Sequence, residues 1–533
     1  MPNDQQMQQF IEKHLSIVRP LGRECALAWW DNAVTGSDED ADRAEEITKR
    51  LLKVYADPEE FAFLNGLPEA GFDDPLIARQ HNMLRRSYLT EQMAPETIDR
   101  LVRLETEISQ EYNNYRAEVR GQLMTANDVY DVLRDSKDLD LRREAWEGSK
   151  AIGPRIADRV LEMVRLRNEV ARSQGYANYY SKSLTLDELD EERLFAAFDK
   201  LIEQTDPLWN EWKSDFDARQ AQRLGITVEE LRPWHYTDPF FQEAPPGDLD
   251  LDRYFADKDL EVLTRQFFTA IGLPIEEVLE RSDLYEKPGK DQHAFCTDLD
   301  REGDVRVLCN NKPNERWMGT MLHEFGHAVY DLYTDRDLPW LLRGPAHTLS
   351  TEAIAELMGR FSKDSVWLQL YAGVPEEEAE KVGAEAQESQ RVQFLLSARW
   401  IILMSRFEQA MYRNPEQDLN KLWWDLVERY QGIHRPDDRD QPDWAAKQHL
   451  ALSPVYYQNY LLGEMMAAQL LHYIRTDALA GEPPEALFTS PKVGQWLREK
   501  LFLPGQIRPW EEGLEHATGE KLNPDYFVAQ LKP

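Results

Sequence analysis

HEFGHAVYDLY, residues 323–333, sets two histidines four positions apart with a glutamate directly after the first. Four residues along an α-helix return a side chain to within about 40° of its starting direction, one turn further on. His323 and His327 therefore project from one face if the stretch is helical. The flanks say that it is, because WMGTML before and AVYDLY after keep apolar residues at three- and four-residue steps. Two imidazoles and a carboxylate on a buried amphipathic helix are costly without partners. A divalent metal would be such a partner, since zinc takes imidazole nitrogens and, in a catalytic site, keeps one position open for water. Glu324, beside the first histidine, is then placed to accept that water's proton. The same spelling also arises by chance on structural helices, so the motif needs a third ligand.

The segment STEAIAELMGRF (350–361) offers one. It reads as a helix with Ser350 and Thr351 as N-cap candidates and with Glu352 and Glu356 one turn apart. Glu352 is the candidate third ligand, and Glu356 the candidate partner for the free ring nitrogen of a ligating histidine. A competing reading has both glutamates opposing the helix dipole, which suits Glu352 better than Glu356. Before the HEFGH helix, HAFCTDLD (293–300) and VRVLCN (305–310) predict a small β-hairpin around REGD. Its edge would either pair with an extended peptide through main-chain hydrogen bonds or serve the fold alone.

Further outward the pattern is helical almost everywhere, so the fold class is mainly α. Between Pro95 and Gly121, the residues Leu101, Leu104, Ile108, Tyr112, Tyr115 and Val119 form one helical face, and similar patterns run through 155–174, 192–223, 385–412 and 454–475. The acidic run GSDEDADRAEE (36–46) reads as a solvated loop leading into a helix. With 42% hydrophobic and 11% aromatic residues, the 533-residue chain is globular in composition. Its 97 acidic against 62 basic residues give a formal charge of -35, which disfavours nucleic acids and anionic membranes as partners. Neither a basic-then-apolar leader nor an apolar run of membrane-spanning length is visible, and Cys25, Cys296 and Cys309 make no disulfide framework. The expectation is a cytoplasmic protein, with no nucleic acid and no membrane among its partners.

These residues resemble the zinc peptidyl-dipeptidases of the angiotensin-converting enzyme family, gluzincin metallopeptidases, in the manner of a bacterial-type member. The resemblance rests on HEFGH, on the 25-residue step from His327 to Glu352 and on the connecting DLPWLLRGPAHTLSTEAIAEL. It continues in order through WWDLVERYQG (423–432), AAKQHLALSPVYYQNY (445–460) and RPWEEGL (508–514), with weaker similarity from ALAWWDNAVTG near the N-terminus onward. LRNEVARSQGYANYYSKSL (166–184) is similar to a neighbouring oligopeptidase family that shares the HEFGH spelling. The resemblance implies a single catalytic domain over 1–533, two intertwined helical lobes around a deep central cleft, with helices of about 1–120 as its lid. It implies one zinc ion on His323, His327 and Glu352, and Glu324 as general base and acid. It also implies His449 and Tyr460 as donors to the oxyanion, His293 and Ala294 as binders of substrate backbone, and Lys447 and Tyr457 as binders of the substrate's C-terminal carboxylate.

Departures from the family pattern qualify the picture. One extra residue between His449 and the tyrosines leaves Tyr456 as an alternative to Tyr457. The arginines that help animal members bind activating chloride are matched by Val427 and Asn459, so chloride activation by that route is not expected. The glutamine that helps hold the carboxylate has no clear counterpart in 248–263, and cysteines of secreted relatives fall at or near Gln292 and His434. The expected activity is release of C-terminal dipeptides from short peptides by a monomer or homodimer. The alternatives are an internally cutting oligopeptidase, a metallocarboxypeptidase, or a helical binding protein that has lost its chemistry.

Overall fold

The structure is a computed structural model and describes residues 2–68, 71–245 and 249–532. As the periodicity predicts, the chain is mainly α, with two two-stranded antiparallel sheets among the described residues. The elements used below are α1 (Pro2–Thr35), α2 (Asp38–Tyr55), α3 (Pro95–Asn114), β1 (Ala117–Val119), β2 (Gln122–Met124), α4 (Gly153–Ser173), α5 (Glu191–Leu224), β3 (Phe295–Asp298), β4 (Val305–Leu308), α6 (Glu315–Leu332), α7 (Thr348–Gly359), α8 (Glu376–Arg413) and α9 (Tyr457–Tyr473).

Three local expectations need correction. The face running from Leu101 to Val119 does not stay helical, because α3 ends at Asn114 and Ala117–Val119 pairs with Gln122–Met124. Arg120 and Gly121 both take positive φ, 51° and 77°, which is the backbone of a tight two-residue hairpin turn. The acidic run at 36–46 is helix rather than loop from Asp38 onward. Ser37 caps α2 by accepting from Asp40 N–H, and Asp38, Glu39 and Asp40 sit in the first turn, where the helix dipole favours negative charge. Finally, α7 starts two residues earlier than Ser350, with His347 as its N-cap accepting from Leu349 N–H.

The chain forms two compact units, each from separated stretches: Met1–Gln92, Leu249–Gln387 and Gly463–Tyr526 in one, Met93–Asp248, Glu388–Leu462 and Phe527–Pro533 in the other. In the first unit, α6 buries Met318, Met321, Leu322, Phe325, Ala328 and Val329 and packs against α7, β3 and β4. Gly326 explains itself here, since a Cβ at this position would stand 2.9 Å from Ala355 Cα. The glycine of HEFGH is what lets α6 and α7 approach closely. The predicted hairpin is present, with Cys296 opposite Val307 and Asp298 opposite Val305. Asp283 bridges Leu308 on the far side of β4, so of this hairpin's two outer edges it is that of β3 that lacks a strand neighbour among the described residues.

Candidate active site

Asn314 caps α6 by accepting from Trp317 N–H, and two turns further on the helix presents its histidines. Glu352 of α7 meets both of them: His323 Nε2 lies 3.6 Å from Glu352 Oε1 and His327 Nε2 lies 3.5 Å from Glu352 Oε2. One ligand atom from each of the three residues falls within 4.8 Å of the other two, which is a group that could hold one metal ion. Burial holds the His323 ring down at about 4, and burial together with His323 holds His327 down at about 3. Both imidazoles are therefore neutral at neutral pH, the form in which histidine binds metal. With α7 starting at Thr348, Glu352 and Glu356 lie beyond its first turn, where opposition to the helix dipole has faded. The donor set fits a metal of the zinc type, two imidazoles and a carboxylate.

Two further contacts shape this group. His327 Nδ1 lies 2.8 Å from Thr351 Oγ1, so the threonine that the sequence offered as an N-cap candidate instead fixes the histidine's ring. If Nδ1 donates to that hydroxyl, Nε2 keeps its lone pair for a metal. Glu356 Oε1 stands 4.0 Å from His323 Nδ1, and burial together with the neighbouring Glu352 raises the Glu356 carboxyl above its ordinary range. Arg360 pairs with Glu464 and donates to the Glu356 carbonyl at 3.1 Å. The sequence reading missed Glu464, whose carboxyl burial pushes up to about 7. Glu324 is 7% exposed, and burial with the neighbouring Glu352 raises its carboxyl to about 8. A carboxylate so poorly solvated is a strong proton acceptor once ionised.

His293 and Ala294 do not lie on β3, which begins at Phe295, but in the bend before it. The His293 side chain is 95% exposed, with Nδ1 3.6 Å from Asp291 Oδ1.

In the second unit the remaining candidates form a group of their own. Lys447 Nζ donates to Gln242 Oε1 at 2.8 Å and lies over the rings of Phe240, Trp400 and Tyr457 at 5.3, 5.5 and 5.9 Å. Burial brings the Lys447 ammonium down to about 8, against the opposing pull of Asp238 and Glu243. The His449 ring lies 4.9 Å from that of Tyr457, and its Nδ1 is buried without a hydrogen-bond partner among the described residues. Of the two adjacent tyrosines, Tyr457 is thus the one beside both Lys447 and His449, while Tyr456 packs edge-on against Tyr460. Tyr460 is 41% exposed. Gln242, the partner of Lys447, lies before 248–263, the stretch in which the sequence offers no clear counterpart of the family's glutamine and of which Asp248 is outside the described residues. Val427 and Asn459 are both buried.

No helix among the described residues is long and apolar enough to cross a membrane. A family model described as "Angiotensin-converting enzyme" matches residues 1–215 and 249–528. The chain is 23% identical to the angiotensin-converting enzyme of Theromyzon tessulatum over 87% of this chain and 80% of that protein. It is 24% identical to the angiotensin-converting enzyme-like protein Ace3 of Mus musculus over 91% of this chain and 71% of that protein. A shorter match, 26% identical over 45% of this chain and 52% of the relative, is to thermostable carboxypeptidase 1 of Pyrococcus furiosus. The chain belongs to the angiotensin-converting enzyme family and is a metallopeptidase of the peptidyl-dipeptidase type.

Proposed function

We propose that this chain removes dipeptides from the free C-terminus of short peptides, with zinc held by His323, His327 and Glu352. The observation that carries the reading is the convergence of two neutral imidazoles and a carboxylate within 4.8 Å on two packed helices. When bound there, zinc supplies Lewis acidity that makes a water proton easier to remove and polarises a carbonyl. Glu324 takes that proton and hands it to the departing amine, two transfers by one carboxylate. Tyr460 and His449 donate to the oxygen on which charge develops, and donors already in place at that moment are worth most where water is excluded. Lys447, with Gln242 and Tyr457 beside it, holds the substrate's terminal carboxylate and so fixes how many residues lie beyond the cut. Gln242 takes the role for which 248–263 supplied no residue. His293 and Ala294 lead into the β3 edge, along which the backbone of an extended peptide adds as a strand.

The partners are therefore short peptides, with neither nucleic acid nor membrane, and the chain works as a monomer or homodimer. We place it in the cytoplasm, a setting in which three unpaired cysteines are ordinary.

Mass spectrometry of an N-blocked pentapeptide and its C-terminal amide, each incubated with the protein with and without a chelator, tests the reading. Chelator-sensitive loss of a dipeptide from the acid, with little from the amide, is the expected result. Loss of a single residue would move the activity toward that of the carboxypeptidase relative. Internal cleavage of both peptides would remove Lys447 and Tyr457 from their assigned role.

A further inference from the structure

Val455 has a φ of 55°, left-handed backbone that a β-branched residue adopts only under constraint. It sits two residues before α9, whose first turn carries Tyr457 and Tyr460. The constraint is visible: Glu408 of α8, 1% exposed, accepts the Val455 N–H at 2.8 Å through Oε1. From the other side, Gln458 Nε2 donates to the Val455 carbonyl at 2.6 Å. Both backbone polar groups of the strained residue are thus engaged by buried side chains. The preceding residues are held in the same manner, with Arg167 donating to the Ala451 carbonyl at 2.9 Å and Tyr112 donating to the Ala445 carbonyl at 2.5 Å.

We infer that Glu408 is a positioning residue for peptide hydrolysis: its carboxyl holds Val455 in the left-handed turn that aims His449, Tyr457 and Tyr460. This rests on the reading of those three as substrate-facing groups. Without an acceptor at Glu408, the Val455 N–H would be buried and unpaired, and the valine would relax toward ordinary backbone. Such a relaxation rotates the start of α9 and displaces both tyrosines together. Burial pushes the Glu408 carboxyl up to about 8 against the opposing pull of Arg167, and the Val455 N–H is the hydrogen-bond donor that reaches it. At neutral pH it is mostly protonated and accepts through its carbonyl oxygen, which glutamine reproduces.

The test combines kinetics with hydrogen exchange read by mass spectrometry in three variants of the full chain. Glu408→Gln keeps the acceptor and is expected within about 3-fold of the parent in kcat/KM. Glu408→Leu removes it, and Glu408→Asp, a milder change that preserves folding if the leucine variant does not, withdraws it by one methylene. Both are expected to lose about 10- to 100-fold in kcat/KM. In both, peptides covering 449–460 should exchange at least 10-fold faster while the HEFGH helix keeps the parent's protection. Adding Val455→Gly to Glu408→Asp supplies a residue at ease at positive φ and should recover most of the loss. A glutamine variant as impaired as leucine, or loosening spread over the whole chain, would overturn the inference. So would a loosened 449–460 with unchanged kinetics. In that last case a Tyr460→Phe control decides where the fault lies: a loss of about 10²-fold in kcat keeps the site reading and rejects the brace, whereas full activity rejects the site reading itself.

Discussion

The two histidines and the glutamate on the metal side stand on helices of 18 and 12 residues, α6 and α7. Lys447 and His449 stand on a stretch whose longest helix, His449–Leu452, has four residues. On regular helices the relative position of two side chains follows from their spacing, and one close helix contact through Gly326 then sets the third. On the irregular stretch nothing follows from spacing. Side chains from elsewhere in its unit hold three points along it: Tyr112 at the Ala445 carbonyl, Arg167 at the Ala451 carbonyl and Glu408 at the Val455 N–H. His323, His327 and Glu352, the proposed metal group, are positioned by secondary structure, whereas Lys447 and His449 are positioned by individual tertiary contacts. Substitutions of supporting residues should therefore cost more on the substrate side than on the metal side.

The largest effect should come from a group on the metal side that acts directly. Glu324→Gln is nearly isosteric, so α6 and its ligands should keep zinc, while loss of the proton acceptor should lower kcat by about 10⁴-fold. Metal content by atomic absorption and single-turnover rates check the two halves of this statement. A variant that lost both metal and turnover would show that Glu324 helps to build the site and does not only use it.

The next effect probes the substrate side. Lys447→Met should raise KM for a free-acid peptide by about 10- to 100-fold and leave the C-terminal amide almost unchanged, because only the acid uses the ammonium. The pH dependence has a definite sign. Burial lowers the folded-state value to about 8, so the ammonium is present below that pH and lost above it. In the parent, the preference for acid over amide in kcat/KM should fall as pH rises through about 8, and the variant should show no such fall. A parent whose preference is flat from pH 7 to 9 would separate Lys447 from carboxylate binding.

The same contrast explains which parts of the molecule were legible in the sequence. His323, His327 and Glu352 were readable because helical spacing is a geometric statement made by the sequence itself. The hairpin Phe295–Asp298 and Val305–Leu308 was readable from alternation and its glycine turn. Thr351, Glu464, Gln242 and Glu408 were not, since each acquires its partner through the tertiary fold, 24 to 205 residues away where a hydrogen bond joins them. The second hairpin was hidden for a different reason. Tyr115 and Val119 keep a helical step from Tyr112, and the Arg120-Gly121 turn that breaks it lacks the asparagine or aspartate that usually marks such a turn.

The smallest effect sharpens the comparison most. Thr351→Val keeps the side chain's shape in α7 and removes only the oxygen 2.8 Å from His327 Nδ1. Partners of this kind typically account for about 10- to 100-fold in metal affinity. If α6 already fixes the imidazole by packing, the loss should lie at or below the lower end, about 10-fold or less. At saturating zinc, kcat should stay within about 3-fold of the parent. Competition against a chromophoric chelator measures the affinity directly, and kcat in excess zinc shows whether the assembled site still works. A loss near 100-fold would mean that the metal side depends on a tertiary hydrogen bond as strongly as the substrate side depends on its braces. The distinction between a site positioned by helices and one positioned by contacts would then disappear.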